Sequence, residues 1–346
     1  MVVFSPYRRT TVEATVPCIF CRKNDDLTDE HVFPAVLGGN LVVKAGSCTA
    51  HNLECGKYEQ GFATETRVLR HILDVSDRYG VTPSAPAEVT VGGDSVGPLP
   101  AQIKAGGELV LHDYVANIQL TNDKTVREGF FVSEEAAQRF IERARARGER
   151  TTEIQPPKDY LILPTSTQTL GFVFSVEARR MVAKIALATI AYRYGTQYAC
   201  EPQFDTLRRF VFGPPESILV AVFANKDFEN SQIRTPQQHS VVGYLSAEMK
   251  KGWALVTLFG GISYVMQIAE NFQESASRNF SIYYDAASKT EIQPIVLYSE
   301  RALVDRVLSQ KTKLESSSAL DEQWFPIVAR YCVAKGVEMS RIASQQ

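Results

Sequence analysis

The sequence has no run of about 18 consecutive apolar residues, which excludes a membrane-spanning helix. Met1 to Thr10 lacks the apolar core of a signal peptide, so the expectation is a cytoplasmic protein with no membrane partner. Net charge is nearly absent: 37 Lys and Arg stand against 39 Asp and Glu, a formal −2. Bulk charge therefore cannot hold a polyanion, and any phosphate-binding surface must be local. No internal repeat or low-complexity segment is present. Cysteine is scarce, with six in the chain; four fall between Cys18 and Cys55, while Cys200 and Cys332 stand alone. A secreted disulfide scaffold would spread its cysteines along the chain, so local crowding points to a metal instead. The rest is ordinary for a globular protein, at 45% hydrophobic and 22% charged residues.

Residues 1 to about 62 are rich in Cys, Gly and turn formers. Val68, Leu69, Ile72 and Leu73 recur at helical spacing and predict a helix from Thr64 to Tyr79. Prolines and glycines then loosen Val81 to Pro100, where a boundary or a strand-rich crossing is expected. Strands are predicted at Leu109 to Leu120, Glu128 to Val132, Asp159 to Leu163, Ile218 to Ala224, His239 to Leu245, Trp253 to Phe259, Ile262 to Ile268 and Ser281 to Tyr284. Ser133 can cap a helix to Arg147, with Glu134 and Glu135 in its first turn and Gly148 past its end. A long helix is predicted over Val176 to Tyr194, stopped at Gly195, and a terminal one over Asp321 to Val333. The fold class is α+β: a small module over residues 1–80, then a larger mixed α/β domain over residues 81–346. That domain can serve target recognition, sensing or dimerisation, so a homodimer is one expected partner arrangement.

Cys18-x-x-Cys21 and Cys48-x-x-His51 are separated by 26 residues. A two-residue gap lets a tight turn aim both side chains at one tetrahedral ion, and thiolate with imidazole suits zinc. Such a small module cannot bury enough apolar surface alone, and a bound metal supplies the missing stability. His51 is preferred as the fourth ligand; Cys55 is the alternative, and otherwise a small buried apolar residue. Between the pairs lies Asp29-Glu30-His31, then Pro34 and Leu37-Gly38-Gly39, and Asn52 follows the second pair. This order predicts strand, turn, strand and helix with zinc across the base. Glu30 and Asn52 offer oxygens to a hard cation such as Mg2+ or Mn2+. A neutral His31 can take a proton from an attacking water. Together these suit phosphodiester hydrolysis.

Cys18-x-x-Cys21, Leu27-Thr28-x-Glu30-His31, Pro34, Leu37-Gly38-Gly39, Cys48 and Asn52-x-x-x-Gly56 resemble the cysteine-flanked branch of the HNH endonuclease family, of the ββα-metal class. The resemblance covers about 40 residues. It implies that His31 is the general base and that Glu30 and Asn52 hold the catalytic metal. It also implies that Cys18, Cys21, Cys48 and His51 hold zinc, and that Asn40 takes the family's middle, loop-fixing Asn. A Gly-Gly-Asn turn explains Asn40 equally well. The fourth ligand departs from the family's usual Cys. The implied partner is nucleic acid, with DNA expected. The rival classes are a zinc-stabilised module that binds nucleic acid or protein without cutting, and a defence effector in which the large domain senses a ligand and the nuclease is its output.

Arg139, Arg143, Arg147 and Arg150 follow helical spacing and can make one phosphate-tracking face. The interleaved Glu142 and Glu149 favour a solvated face. Arg179, Arg180 and Lys184 read as the basic edge of a core helix. Tyr264 and the aromatics of Phe280 to Tyr284 read as core at strand spacing rather than as a base-stacking platform. His112-Asp113 and His239 have no partner legible in sequence.

Overall fold

The computed structural model describes residues 16–91, 99–104, 109–111, 114–120, 124–130, 134–149, 160–163, 175–213, 220–224, 235 and 237–292. Cys332, Arg150, His112, Asp113, Ser133 and the helix expected over Asp321 to Val333 lie outside them.

Strand β1 (Leu27–His31) pairs antiparallel with β2 (Val42–Cys48), setting Leu27 opposite Cys48 and His31 opposite Val42. The register slips between Thr28 and Glu30. The turn joining them holds a short 3-10 helix, Ala35–Leu37, closed by Gly38 at φ 75°. That left-handed conformation is open to glycine at little cost. At Gly39 a Cβ would lie 1.9 Å from the Phe33 carbonyl oxygen. The Leu-Gly-Gly signal is thus a backbone requirement. Helix α1 (Thr49–Glu65) starts at the residue after β2, and α2 (Arg67–Ile72) follows. The helix expected over Thr64 to Tyr79 is corrected accordingly. The chain is already helical from Thr49, and it leaves the helix after Ile72, with Asp74 at φ 53°.

Next come β3 (Ala85–Val91), β4 (Leu99–Ile103), β5 (Leu109–Leu111), β6 (Tyr114–Leu120), β7 (Lys124–Phe130), α3 (Glu134–Ala146) and β8 (Tyr160–Leu163). Four of these strands form a sheet in the order β5-β4-β3-β8, while β6 and β7 make a separate pair. The expected single strand over Leu109 to Leu120 is therefore two strands, because β5 bonds to β4 and β6 to β7.

The chain continues through α4 (Val176–Tyr194), α5 (Thr196–Ala199), α6 (Asp205–Phe212), β9 (Val220–Ala224), β10 (Gln238–Ser246), β11 (Lys251–Leu258), β12 (Ile262–Glu270), β13 (Arg278–Asp285) and β14 (Thr290–Glu291). The last six strands form one antiparallel sheet, ordered β14-β13-β10-β11-β12-β9. Helix α4 is apolar nearly all round, which marks a helix buried on every side. Its residues from Met181 to Ala191 are all buried. It packs on α1 and β2, on α6, and on β10 to β13. Cys18, Ile19, Phe33 and Phe62 of the first 80 residues share one continuous core with α4 and this sheet.

Two aromatic contacts lock the Leu-Gly-Gly turn to the sheet. Phe33 stacks on Tyr284 at 5.3 Å, and the Tyr284 hydroxyl donates to the Gly38 carbonyl at 2.6 Å. Tyr264, Phe280, Ile282 and Tyr284 are buried, as expected of core residues. His239 lies between Phe33 and Phe259, and its Nδ1 accepts the Phe259 amide. Burial pushes its pKa down to about 3, against a smaller opposing pull from the Leu37 carbonyl.

This fixes a pH dependence. The unfolded histidine binds a proton below about pH 6.5, while the folded one stays neutral. Its stabilising contribution is therefore complete above that pH and is lost as pH falls toward about 3. His239→Gln can still accept the Phe259 amide but cannot be protonated. Urea denaturation between about pH 7.5 and about pH 5 should cost the parent about 2 kcal/mol more than the variant. Equal losses would show that another group sets the acid limit.

Candidate metal centre and catalytic site

The first Cys pair sits in a knuckle. Cys18 N donates to the Lys23 carbonyl, Arg22 N donates to the Cys18 carbonyl, and Arg22 takes φ 65°. Ile19 N ties this knuckle to β2 at Gly46. The second pair straddles the junction of β2 and α1, where Cys48 is the N-cap residue. Ligand atoms of Cys18, Cys21, Cys48 and His51 all lie within 4.8 Å of one another, and the group can hold one metal ion. Cys48 Sγ is 3.0 Å from His51 Nδ1 and 3.8 Å from Cys21 Sγ.

Electrostatics at the group suit ligation. Burial opposes ionisation of Cys48, yet the amides of His51 and Ala50 with the neighbouring thiols hold its pKa below the usual thiol value. Burial lowers the His51 pKa and so favours the neutral imidazole that a metal needs. Phe212 meets the His51 ring edge-on at 4.6 Å, and Phe20 lies at 5.8 Å. Cys55 is not part of the group. It is buried, and burial drives its thiol pKa far up, which keeps it protonated and apolar.

The acid and the histidine of β1 meet different partners. Glu30 is 2% exposed, and its Oε1 lies 2.5 Å from Lys184 Nζ of α4. Lys184 is also 2% exposed, and it donates to Glu59 of α1 and to the His31 carbonyl, each at 2.9 Å. Burial alone would strip its proton, but Glu30 and Glu59 outweigh burial and hold its pKa above the usual lysine range. Glu30 Oε2 is buried with no hydrogen-bond partner. Asp29, by contrast, faces outward and pairs with Lys44 and the Ala45 amide, which lower its pKa.

His31 is partly buried. Arg78 Nη1 lies 2.6 Å from its Nε2. A guanidinium can only donate, so Nε2 is the acceptor and the ring proton is on Nδ1. Burial lowers the His31 pKa most, followed by the charges of Lys184 and Arg78. Asn52 Nδ2 donates to Thr28 Oγ1 at 3.0 Å, which ties the first turn of α1 to β1 two residues from Glu30. Outside this link, Thr49, Asn52, Leu53, Gly56, Lys57 and Gln60 line an open groove of about 620 Å³ along α1. A Cβ at Gly56 would touch nothing, so the groove floor is clear there. Asn40 is exposed at the turn, and its side chain makes no hydrogen bond among the described residues.

The arginine helix stands apart from these residues. Arg139 and Arg143 are exposed on α3, but Arg147 lies past the end of the helix and pairs with Glu149 at 2.6 Å. In α4, Arg180 donates to the Gly213 carbonyl and covers the Tyr58 ring. Sequence reasoning missed the roles of Lys184, Glu59 and Arg78: it put Lys184 on the basic edge of its helix, whereas the side chain is buried. A lysine inside an otherwise apolar helix was the available signal for the first, because a buried ammonium requires acidic partners.

Two tests follow from this geometry. Cys55→Ala should keep one metal ion per chain by elemental analysis, while Cys48→Ala should lose it and unfold the module; metal loss in Cys55→Ala would reassign the fourth ligand. Lys184→Met should cost about 3–5 kcal/mol in denaturant titrations, because it strands buried carboxylate. Adding Glu30→Gln to it should recover part of that loss. A neutral Lys184→Met would mean that the cluster is not coupled to folding.

No family model, curated protein or solved structure matches the chain, so the functional reading rests on the chemistry of this site.

Proposed function

We propose that the chain is a metal-dependent endonuclease of the HNH type that hydrolyses phosphodiester bonds in DNA. One observation carries this reading. A four-ligand metal group closes a β-hairpin followed directly by a helix, with a neutral histidine at the end of the first strand. Two Cys-containing pairs and one imidazole make zinc the ion that suits the group, in a structural role.

Glu30 and Asn52 would hold a catalytic Mg2+ or Mn2+. Their donor chemistry fits a hard cation. Glu30 has one buried oxygen without a partner. Asn52, after donating to Thr28, keeps a carbonyl oxygen that no described residue donates to. When bound, the cation supplies charge stabilisation for the phosphate and the leaving oxygen. His31 does the proton work. Its Nε2 accepts a proton from water as the water oxygen bonds to phosphorus. The bond from phosphorus to the leaving sugar oxygen breaks, and that oxygen takes a proton from solvent. The groove along α1, with Lys57 at its edge and nothing over Gly56, offers open ground for a strand to approach.

A second reading has one observation in its favour. Glu30 Oε1 is committed to Lys184, a structural use of the motif's acid. A zinc-stabilised module that binds nucleic acid or protein without cutting needs nothing more from Glu30.

Incubating purified protein with plasmid DNA, with and without Mg2+ or Mn2+, separates the two. The endonuclease reading expects metal-dependent nicking or linearisation. His31→Ala should lower cleavage by about two powers of ten or more, with folding and zinc content intact. Asn52→Ala should lose activity that higher Mn2+ partly restores, whereas added metal cannot replace the base in His31→Ala. Parent-level cleavage by a clean His31→Ala preparation would leave only the binding reading.

A further inference from the structure

Arg78 has no role in the motif, yet its guanidinium lies against the imidazole that the motif offers as base. It is the residue after Asp77, in a turn fixed from three directions. Asp77 Oδ1 accepts the Tyr79 and Val81 amides at 2.8 and 2.9 Å. The Arg78 amide donates to the Ala35 carbonyl of the Leu-Gly-Gly turn at 2.8 Å. Lys289, beyond β13, donates to the Arg78 carbonyl, also at 2.8 Å. The side chain is held as firmly. Its Nη1 donates to His31 Nε2 and its Nη2 to the Tyr79 hydroxyl, both at 2.6 Å, and its Cζ lies 4.7 Å over the Tyr79 ring.

No carboxylate among the described residues pairs with this guanidinium. Elsewhere in the structure, Arg22, Arg147, Arg193, Arg208 and Arg278 each have an acidic partner, while Arg67, Arg70 and Arg180 are committed to backbone carbonyls. A positioned guanidinium with no counter-ion, beside a base that must reach a phosphodiester, is built for an anion. Two parallel N–H groups match two phosphate oxygens.

We propose that Arg78 is the phosphate-binding residue of this site, resting on the nuclease reading of His31. Non-bridging oxygens of the phosphodiester take the N–H groups that Arg78 now gives to His31 and Tyr79. That exchange leaves the Nε2 lone pair of His31 open to the attacking water. Arg78 thus holds the base in one orientation without substrate and releases it when phosphate arrives. Tyr79, 72% exposed, lies where a base or sugar next to that phosphate can pack.

The test uses the full chain and two readouts. In a His31→Ala background, which removes the base, binding of a short fluorescein-labelled DNA duplex is measured by anisotropy across a salt series. Adding Arg78→Gln should weaken binding by about tenfold or more. It should also reduce the salt slope by about one phosphate contact. Arg78→Lys should restore the slope but only part of the affinity, since a point charge replaces a fork. In the otherwise unaltered chain, Arg78→Gln should slow plasmid cleavage while thermal stability and zinc content hold. Unchanged affinity and salt slope in Arg78→Gln overturn the proposal, whether or not the protein cuts DNA. If the parent cuts nothing but Arg78→Gln still loses duplex affinity and slope, the phosphate site stands and the nuclease reading falls.

Discussion

The buried ammonium of Lys184 is the point on which the arrangement turns. Removing a lysine from water is costly, and it is tolerated only where its three N–H groups find acceptors. Here those acceptors come from Glu30 and the carbonyl of His31 on β1 and from Glu59 on α1, while Lys184 itself belongs to α4. One charged group therefore fixes the distances among three elements. A metal ion in the Cys/His group would do the same for the Cys18–Cys21 knuckle and the β2–α1 junction. His31 ends β1 and Asn52 lies in the first turn of α1, so neither sits on a loop.

The hairpin and helix nevertheless lean on the rest of the chain. Phe33, His239 and Tyr284 are one aromatic contact shared by the Leu-Gly-Gly turn and the six-stranded sheet. Lys289 holds the turn that carries Arg78. A module of this size buries too little apolar surface to be stable alone. A metal ion held by the Cys18, Cys21, Cys48 and His51 group would supply one part of the deficit, and the core around α4 supplies the other. Any ligand or partner that shifted the sheet would be felt at Gly38 and Arg78, since Tyr284 of β13 bonds the first and Lys289 of the β13–β14 turn bonds the second.

What the sequence disclosed and what it hid follow from the range of the interactions. The ligand pairs were legible because a two-residue gap is a local geometric requirement. Helix α4 was legible at both ends because Ser175 caps it through the Ala178 amide and Gly195, at φ 91°, ends it. A helix is expected directly after the Cys48-x-x-His51 pair, where α1 begins, although Cys48 gives no side-chain cap to mark its first residue. Leu109 to Leu120 reads as one strand because it is largely apolar, whereas β5 bonds to β4 and β6 to β7. Arg78 gave no signal in the sequence, and Lys184 gave only that of a charge inside a buried helix, with nothing to name its partners. Their partner His31 lies 47 and 153 positions away, and no periodicity reports a contact made by tertiary packing.

Glu30 joins the structural and the chemical demands on this site. Its Oε1 is committed to Lys184, while Oε2 stays buried and unpartnered. Glu30 and Glu59 together face one ammonium. An orphaned carboxylate oxygen in a buried setting costs free energy unless something positive completes it. Lys184 uses one oxygen of each acid to satisfy its N–H groups, and Glu30 Oε2 is left over. In the proposed nuclease, a divalent cation reaching Oε2 would complete it: the lysine would orient the carboxylate through one oxygen and leave the other to the metal. Lys184 and the proposed cation would not be rivals for Glu30, because each would take a different oxygen of the same side chain.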